Sequence, residues 1–167
     1  GYIFFTTGLI DYFRNLKIIA WATLIFGLLL FFADKSQIKK KLDINLNYKS
    51  ILIVGLFQIL AIIPGVSRSG IVITASRLLN FDRVDSTKIA FYLSIPALSG
   101  ASFLGMKDIL ETNVNFNLTF LFSIIFSFFI SYLTVKYFLI YVKKFDLKFF
   151  VYYRIFLALI LFVIIYS

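Results

Sequence analysis

Cysteine and histidine are both missing from this chain of 167 residues. Without cysteine no disulfide can form, and without either residue the commonest zinc sites are excluded. The lack of histidine also removes the usual partner that activates a serine nucleophile. Charge is scarce: Asp, Glu, Lys and Arg make up 15% of the residues, against about 25% in a soluble domain. Acid is the scarcer sign, with 8 carboxylates against 17 basic side chains and a formal net charge of +9. Such an excess can mark a nucleic-acid binder, but no basic stripe is interleaved with a soluble fold, so no nucleic-acid partner is expected. Asp82, Asp85, Asp108 and Glu111 are expected near surfaces.

What is present is apolar. Hydrophobic residues make up 61% of the chain, with 22 Phe and 10 Tyr, and the mean hydropathy is +0.96. A soluble domain would hold about 45–50% apolar residues. The composition is that of an all-α polytopic membrane protein, and the basic residues fall between its apolar segments.

The stretch that organises the chain is Pro64-Gly65-Val66-Ser67-Arg68-Ser69-Gly70. The apolar runs on either side, 50–63 and 71–79, are each too short for a bilayer, which needs about 20 residues. Irregular backbone at membrane depth is tolerated where protein buries it or it lines a watery cavity. Residues 50–80 are therefore expected to form a re-entrant helix-loop-helix hairpin that breaks at Pro64. Residues 1–10 read as the end of a severed helix, and the chain as a fragment, with a polar turn at 11–15 and a first complete span at 17–33, where Trp21 suits an interfacial anchor. Further spans are expected at 86–106, 118–141 and 149–166, giving about four transmembrane helices plus the hairpin.

Lysine and arginine set the topology. Residues 34–49, 80–88 and 142–148 are basic and expected in the cytoplasm, and 107–117 outside. Both ends of the hairpin then lie on one side, which agrees with its length. The lysine-rich loop 34–49 also admits a second reading, as a site for anionic lipid.

The hairpin turn has the chemistry of an anion site. Arg68 can hold two phosphate oxygens with its planar fork, and an ionisable residue at that depth is a functional hypothesis by default. Its structural alternative is pairing with backbone carbonyls. Ser67 and Ser69 can donate to phosphate; Ser69 fits equally well as the cap of the outgoing half-helix, whose free N–H groups favour an anion. Gly65 and Gly70 permit close approach or positive φ. Thr74 shares a helix face with Gly70 and is placed to line the site, while Arg77 is expected to snorkel to the surface. Gln58 either bonds the loop or packs. Arg154 is expected to anchor the last span, and Ser94, Ser99, Gly100, Ala101 and Gly105 suit close helix packing.

The pattern Gln58-x-x-Ala61-x-x-Pro64-Gly65-Val66-Ser67-Arg68-Ser69-Gly70-x-x-x-Thr74 resembles a signature of the bacterial undecaprenyl-diphosphate phosphatases, the BacA-type bacitracin-resistance membrane proteins. Phe91-Tyr92-Leu93-Ser94-Ile95-Pro96 and Tyr153-Arg154 are similar to further marks of that family, and the resemblance covers essentially the whole chain. It implies two inverted repeats, of which residues 1–33 are the end of the first, 34–49 a cytoplasmic loop, and 50–167 the second. It implies hydrolysis of undecaprenyl diphosphate in the bacterial inner membrane, at a site facing the periplasm. Arg68 and Ser67 are then the catalytic candidates, and Gly65, Ser67, Arg68, Ser69, Gly70, Thr74 and Gln58 the diphosphate-binding ones. A divalent cation, Mg2+ or Ca2+, is implied, with its ligands expected in a missing N-terminal part rather than in this chain. That missing repeat, membrane lipids and a second copy in a homodimer are the other partners expected. A transporter of anions or of the lipid carrier, built on the same broken helix, is the alternative reading.

Overall fold

The computed structural model describes residues 15–111 and 118–166. The expected helix end at 1–10 and most of the outer loop 107–117 therefore lie outside the described residues.

The first long helix, α1 (Leu16–Asp34), begins where the Asn15 side chain accepts the Lys17 N–H at 2.9 Å. A single short turn, α2 (Leu42–Asn45), interrupts the following loop. The hairpin comes next: α3 (Tyr48–Ile59), capped by the Asn47 side chain, tightens into a 3-10 turn at Leu60–Ile62. Ile63 then turns extended (φ −73°, ψ 121°), as the ring of a following proline requires. After the turn, α4 (Arg68–Leu78) returns against α3. Three longer helices follow: α5 (Arg83–Glu111), α6 (Leu118–Lys144) and α7 (Lys148–Tyr166).

Four of these helices are long and apolar enough to cross a membrane: α1, residues Arg83–Met106 of α5, α6 and α7. They agree with the expected spans to within a few residues. The stretch Tyr48–Ile62 is apolar but shorter, and α4 at 11 residues reaches only about 16 Å. Neither arm of the hairpin can cross alone.

The chain divides into two units, residues 1–90 with 146–167, and residues 91–145. In the first, α1 packs on α7 and on α4, and α3 on α4. Small residues permit the approach: Ala20, Ala33 and Ala158 are wholly buried. A Cβ on Gly27 would meet that of Arg154 at 3.3 Å. The ends of the hairpin meet. Asn80 O accepts the N–H groups of both Lys39 and Lys40 at 3.0 Å. Arg77 donates to Asp34 O at 2.8 Å, to Ser36 O at 2.7 Å, and to Phe81 O. The hairpin thus enters and leaves where α1 ends, as a re-entrant element must.

The same end of this unit carries a set of ion pairs. Asp34 accepts from Arg83 at 2.7 and 3.0 Å and from the Leu147 N–H at 3.3 Å. Arg83 also reaches Asp146 at 2.7 Å, and Asp146 pairs with Lys148 at 2.9 Å. Residues from 34–41, 80–85 and 146–148, assigned to one side by their charge, meet in space.

The second unit holds the rest of α5, with Pro96 inside it, and α6. Phe91 and Phe138 pack edge-to-face with ring centres 6.0 Å apart. Among the described residues, several small residues of α5 are not in the close packing expected of them. Ser99, Gly100 and Ala101 are exposed. Among the described residues nothing comes within 4 Å of where a Cβ on Gly100 or Gly105 would stand.

Two further expectations are corrected by this packing. Arg77 does not snorkel: it is 1% exposed, because three carbonyls accept from its terminal nitrogens inside the protein, with the Asp34 carboxylate 3.5 Å from its Nε. Asp85 is buried rather than superficial, where it accepts the Leu42 N–H at 2.9 Å.

Candidate functional site

The turn between α3 and α4 presses into α1. Gly65 has φ +94°, and a Cβ there would lie 2.6 Å from Ile19 O and 2.9 Å from the Thr23 hydroxyl. No other residue type fits that backbone and that gap. Thr23, itself buried, donates to Gly65 O at 3.4 Å. Val66 is fully buried, and its N–H closes the turn on Ile63 O at 3.2 Å.

Ser67 is where the backbone is strained, with φ +65° and ψ 114°. A residue with a Cβ held there costs about 1–3 kcal/mol, and such strain clusters at functional sites. The conformation lets Ser67 cap α4, its Oγ accepting the Gly70 N–H at 3.3 Å. The expected cap, Ser69, stands two positions too late: the helix begins at Arg68, which leaves the Ser69 hydroxyl outside the capping position and exposed.

Ser67, Arg68 and Ser69 are all exposed, whereas Gly70 and Thr74 are buried. Among the described residues Arg68 has no ion pair and its guanidinium no acceptor. The amides of Arg68 and Ser69 stand in the first helical turn, where no intrahelical acceptor exists. Among the described residues the turn therefore offers a guanidinium without an acceptor, an exposed hydroxyl and first-turn amides without intrahelical partners, at the positive end of α4.

Thr74 is placed differently from the reading that had it line the site. It is 1% exposed and its hydroxyl donates back to Gly70 O at 2.7 Å. Gln58 lies on α3, half-buried, with a buried Oε1 that has no hydrogen-bond partner among the described residues.

Arg154 is the residue whose place at the turn sequence reasoning missed. It was expected as an anchor for α7, but it is buried and donates to both Gly65 O at 2.7 Å and Val66 O at 2.6 Å. Carbonyl pairing, considered above as the structural alternative for Arg68, is the work of Arg154. Its stem lies along Gly27, and its Nη1 is 3.2 Å from where a Cβ of Gly70 would be. No carboxylate pairs with it among the described residues, so its charge adds to the positive field at the turn. A signal was available. Val151, Arg154 and Ala158 stand at helical spacing on one buried face of α7, and an arginine in an apolar span needs a partner inside the protein.

A divalent cation does not fit these residues by themselves. Among the described residues no group of three His, Cys, Asp or Glu could hold a metal ion, and the stretch from Pro64 to Gly70 contains no carboxylate. Asp34, Asp85 and Asp146 are engaged at the far end of the hairpin.

Four helices long enough to span and a hairpin that carries an arginine at its turn define the class: an α-helical, multi-pass membrane protein. The family model described as "Bacitracin resistance protein BacA" matches residues 1–160, and the chain belongs to that family. It is 56% identical over 168 residues to the undecaprenyl-diphosphatase of Pelagibacter ubique (strain HTCC1062), covering 100% of this chain and 66% of the relative. The protein of the same name from Elusimicrobium minutum is 44% identical over 151 residues, which cover 89% of this chain and 56% of that one. That of Saccharophagus degradans is 38% identical over 157 residues, 93% and 59% of the two chains. The chain thus spans between 56% and 66% of the length of these relatives.

Proposed function

We propose that this chain forms part of an undecaprenyl diphosphatase, which cleaves the anhydride bond of the lipid diphosphate to leave the monophosphate and inorganic phosphate. The observation that carries the reading is the turn itself. Exposed Ser67, Arg68 and Ser69 stand at the start of a half-helix too short to span, in a chain whose relatives are named for this activity. Arg68 binds two oxygens of the phosphoryl group and stabilises the charge that develops on them, together with the amides of α4. Ser69 donates to the same group, and the Ser67 hydroxyl, whose oxygen caps α4, keeps its hydrogen to donate. Gly65 and Gly70 let the backbone come close. Thr74 and Gln58 support the turn.

No base adjoins Ser67 among the described residues, so activation of the nucleophile falls to groups outside them. So does a divalent cation, Mg2+ or Ca2+, which would offset charge on the diphosphate. The basic loops support an orientation with the base of the hairpin in the cytoplasm and its turn toward the periplasmic side of the inner membrane.

The test is phosphate release from a prenyl diphosphate in detergent, by a protein carrying this chain together with the segment its relatives have beyond it. Arg68→Lys keeps the charge and loses the fork. It should lower turnover about 30- to 1,000-fold, roughly 2–4 kcal/mol of transition-state stabilisation, with normal extraction yield. Near-normal turnover would remove the bidentate role. Binding or flux of the diphosphate without hydrolysis in the unmodified protein would favour the transporter instead.

A further inference from the structure

The segment from Lys35 into the first turn of α3, residues 35–49, has a one-sided composition. Lys35, Lys39, Lys40, Lys41 and Lys49 accompany a single carboxylate, Asp43. None of these lysines is ion-paired among the described residues. Lys35 and Lys40 instead lie over the rings of Phe31 and Phe81, 4.3 and 5.8 Å from the ring centres. Interleaved with them are apolar side chains that the fold leaves uncovered: Ile38 is 63% exposed, Ile44 78% and Tyr48 92%.

The backbone of this segment is held in place. Its amides at Lys39 and Lys40 bond to Asn80 O, and that of Leu42 to the Asp85 carboxylate. It is fastened to the base of the hairpin and the start of α5, at the level where the apolar helix α1 ends. The end of an apolar helix of spanning length is where hydrocarbon would give way to water.

We infer that residues 35–49 form a docking surface for anionic phospholipid headgroups of the surrounding leaflet, the lysines meeting phosphates and Ile38, Ile44 and Tyr48 entering the acyl boundary. Interleaved cationic and large apolar side chains are what an interfacial segment needs. Setting topology needs only the count of positive charges. It requires neither the exposed Ile38, Ile44 and Tyr48 nor a backbone pinned to the hairpin. The charge complementarity is with lipid, since among the described residues none of these lysines meets a carboxylate. Each lysine near an anionic membrane should favour contact about five-fold at low salt, less as salt screens it.

The absence of cysteine makes the test direct. A single Gln37→Cys is labelled with an environment-sensitive dye, and the purified full chain is placed in nanodiscs of phosphatidylcholine with increasing phosphatidylglycerol. Nanodiscs expose both faces, so orientation in the cell does not enter the reading. The dye should shift to the blue and be quenched by spin-labelled lipid as phosphatidylglycerol rises, and 0.5 M salt should reverse the shift. Replacing Lys39, Lys40 and Lys41 together by Gln should raise the phosphatidylglycerol needed for half the shift by up to about a hundred-fold, and so beyond reach. The same positions changed to Arg should behave as the parent. Ile44→Ser should weaken quenching while leaving the salt effect. All these side chains are exposed or half-buried, and monodisperse elution checks that the variants are folded. A dye that stays in water at every composition overturns the inference. So does a shift that the triple Gln variant retains, or one that inorganic phosphate reproduces in phosphatidylcholine alone.

Discussion

Arg68, Arg77 and Arg154 carry the same guanidinium in three different settings, and substitutions should separate them. Arg154 satisfies two carbonyls of a buried turn. Arg154→Met strands both, at about 1–3 kcal/mol for each acceptor left without a donor. The variant should melt earlier in detergent and extract poorly; an unchanged Tm would show that the turn holds without it. Arg77 meets three carbonyls and a carboxylate at the base. Arg77→Lys keeps the charge but cannot span those acceptors, so a loss of roughly 1–3 kcal/mol in stability is expected. A wild-type Tm would restore the snorkelling view. Arg68, free and exposed, is the one whose loss should spare the fold. Sequence placed Arg68 correctly because its neighbours in the chain are the turn. It misjudged Arg77 and Arg154 because their acceptors, Asp34 and Gly65, lie 43 and 89 positions away, and spacing along one helix does not report them.

At the level of elements, helices and their lengths were legible from apolar runs and basic loops, and the hairpin from two runs too short to cross. The contacts that seat the hairpin were not. The gap at Gly65 depends on α1 backbone at Ile19, and the shared carbonyl at Asn80 on a loop 40 residues earlier. Single cysteines test the seating. Replacements at Lys40 and Asp82 should both resist an impermeant thiol reagent in intact cells, while one at Lys17, at the other end of α1, should react. Labelling at Asp82 with Lys40 protected would mean that the 50–80 segment crosses. The base carries a pH dependence as well. Lys148 first, and then Arg83, hold the Asp146 carboxyl below the usual carboxylate range. A depressed pKa means that the stabilisation is fully present above the unfolded value and is lost as pH falls through the folded one. Melting temperature should therefore be flat from pH 8 to pH 5 in this respect and drop in stronger acid. Asp146→Asn should flatten the acid limb; an unchanged limb would assign it to other carboxylates.

For the molecule as a whole, the division of labour is uneven. The groups proposed to bind phosphate lie at the turn, and described carboxylates that could activate a nucleophile sit at the opposite end of the hairpin. The 167 residues alone should release no phosphate from a prenyl diphosphate above background, and co-expression with the remaining part of a relative should restore turnover. Metal-dependent hydrolysis by the isolated chain would show that its own carboxylates reach the turn.

The grip of Arg154 on the turn has one more consequence. A trans peptide is a rigid plank with oxygen on one edge and hydrogen on the other. Holding the oxygen of Val66 inward turns the hydrogen of the same plank, on the Ser67 nitrogen, toward the opposite side. That donor precedes those of Arg68 and Ser69 in sequence, the two amides of the first turn of α4 that have no intrahelical acceptor. Arg154 can thus aim donors at an anion it never touches, sorting the two faces of one short loop into acceptors within and donors without.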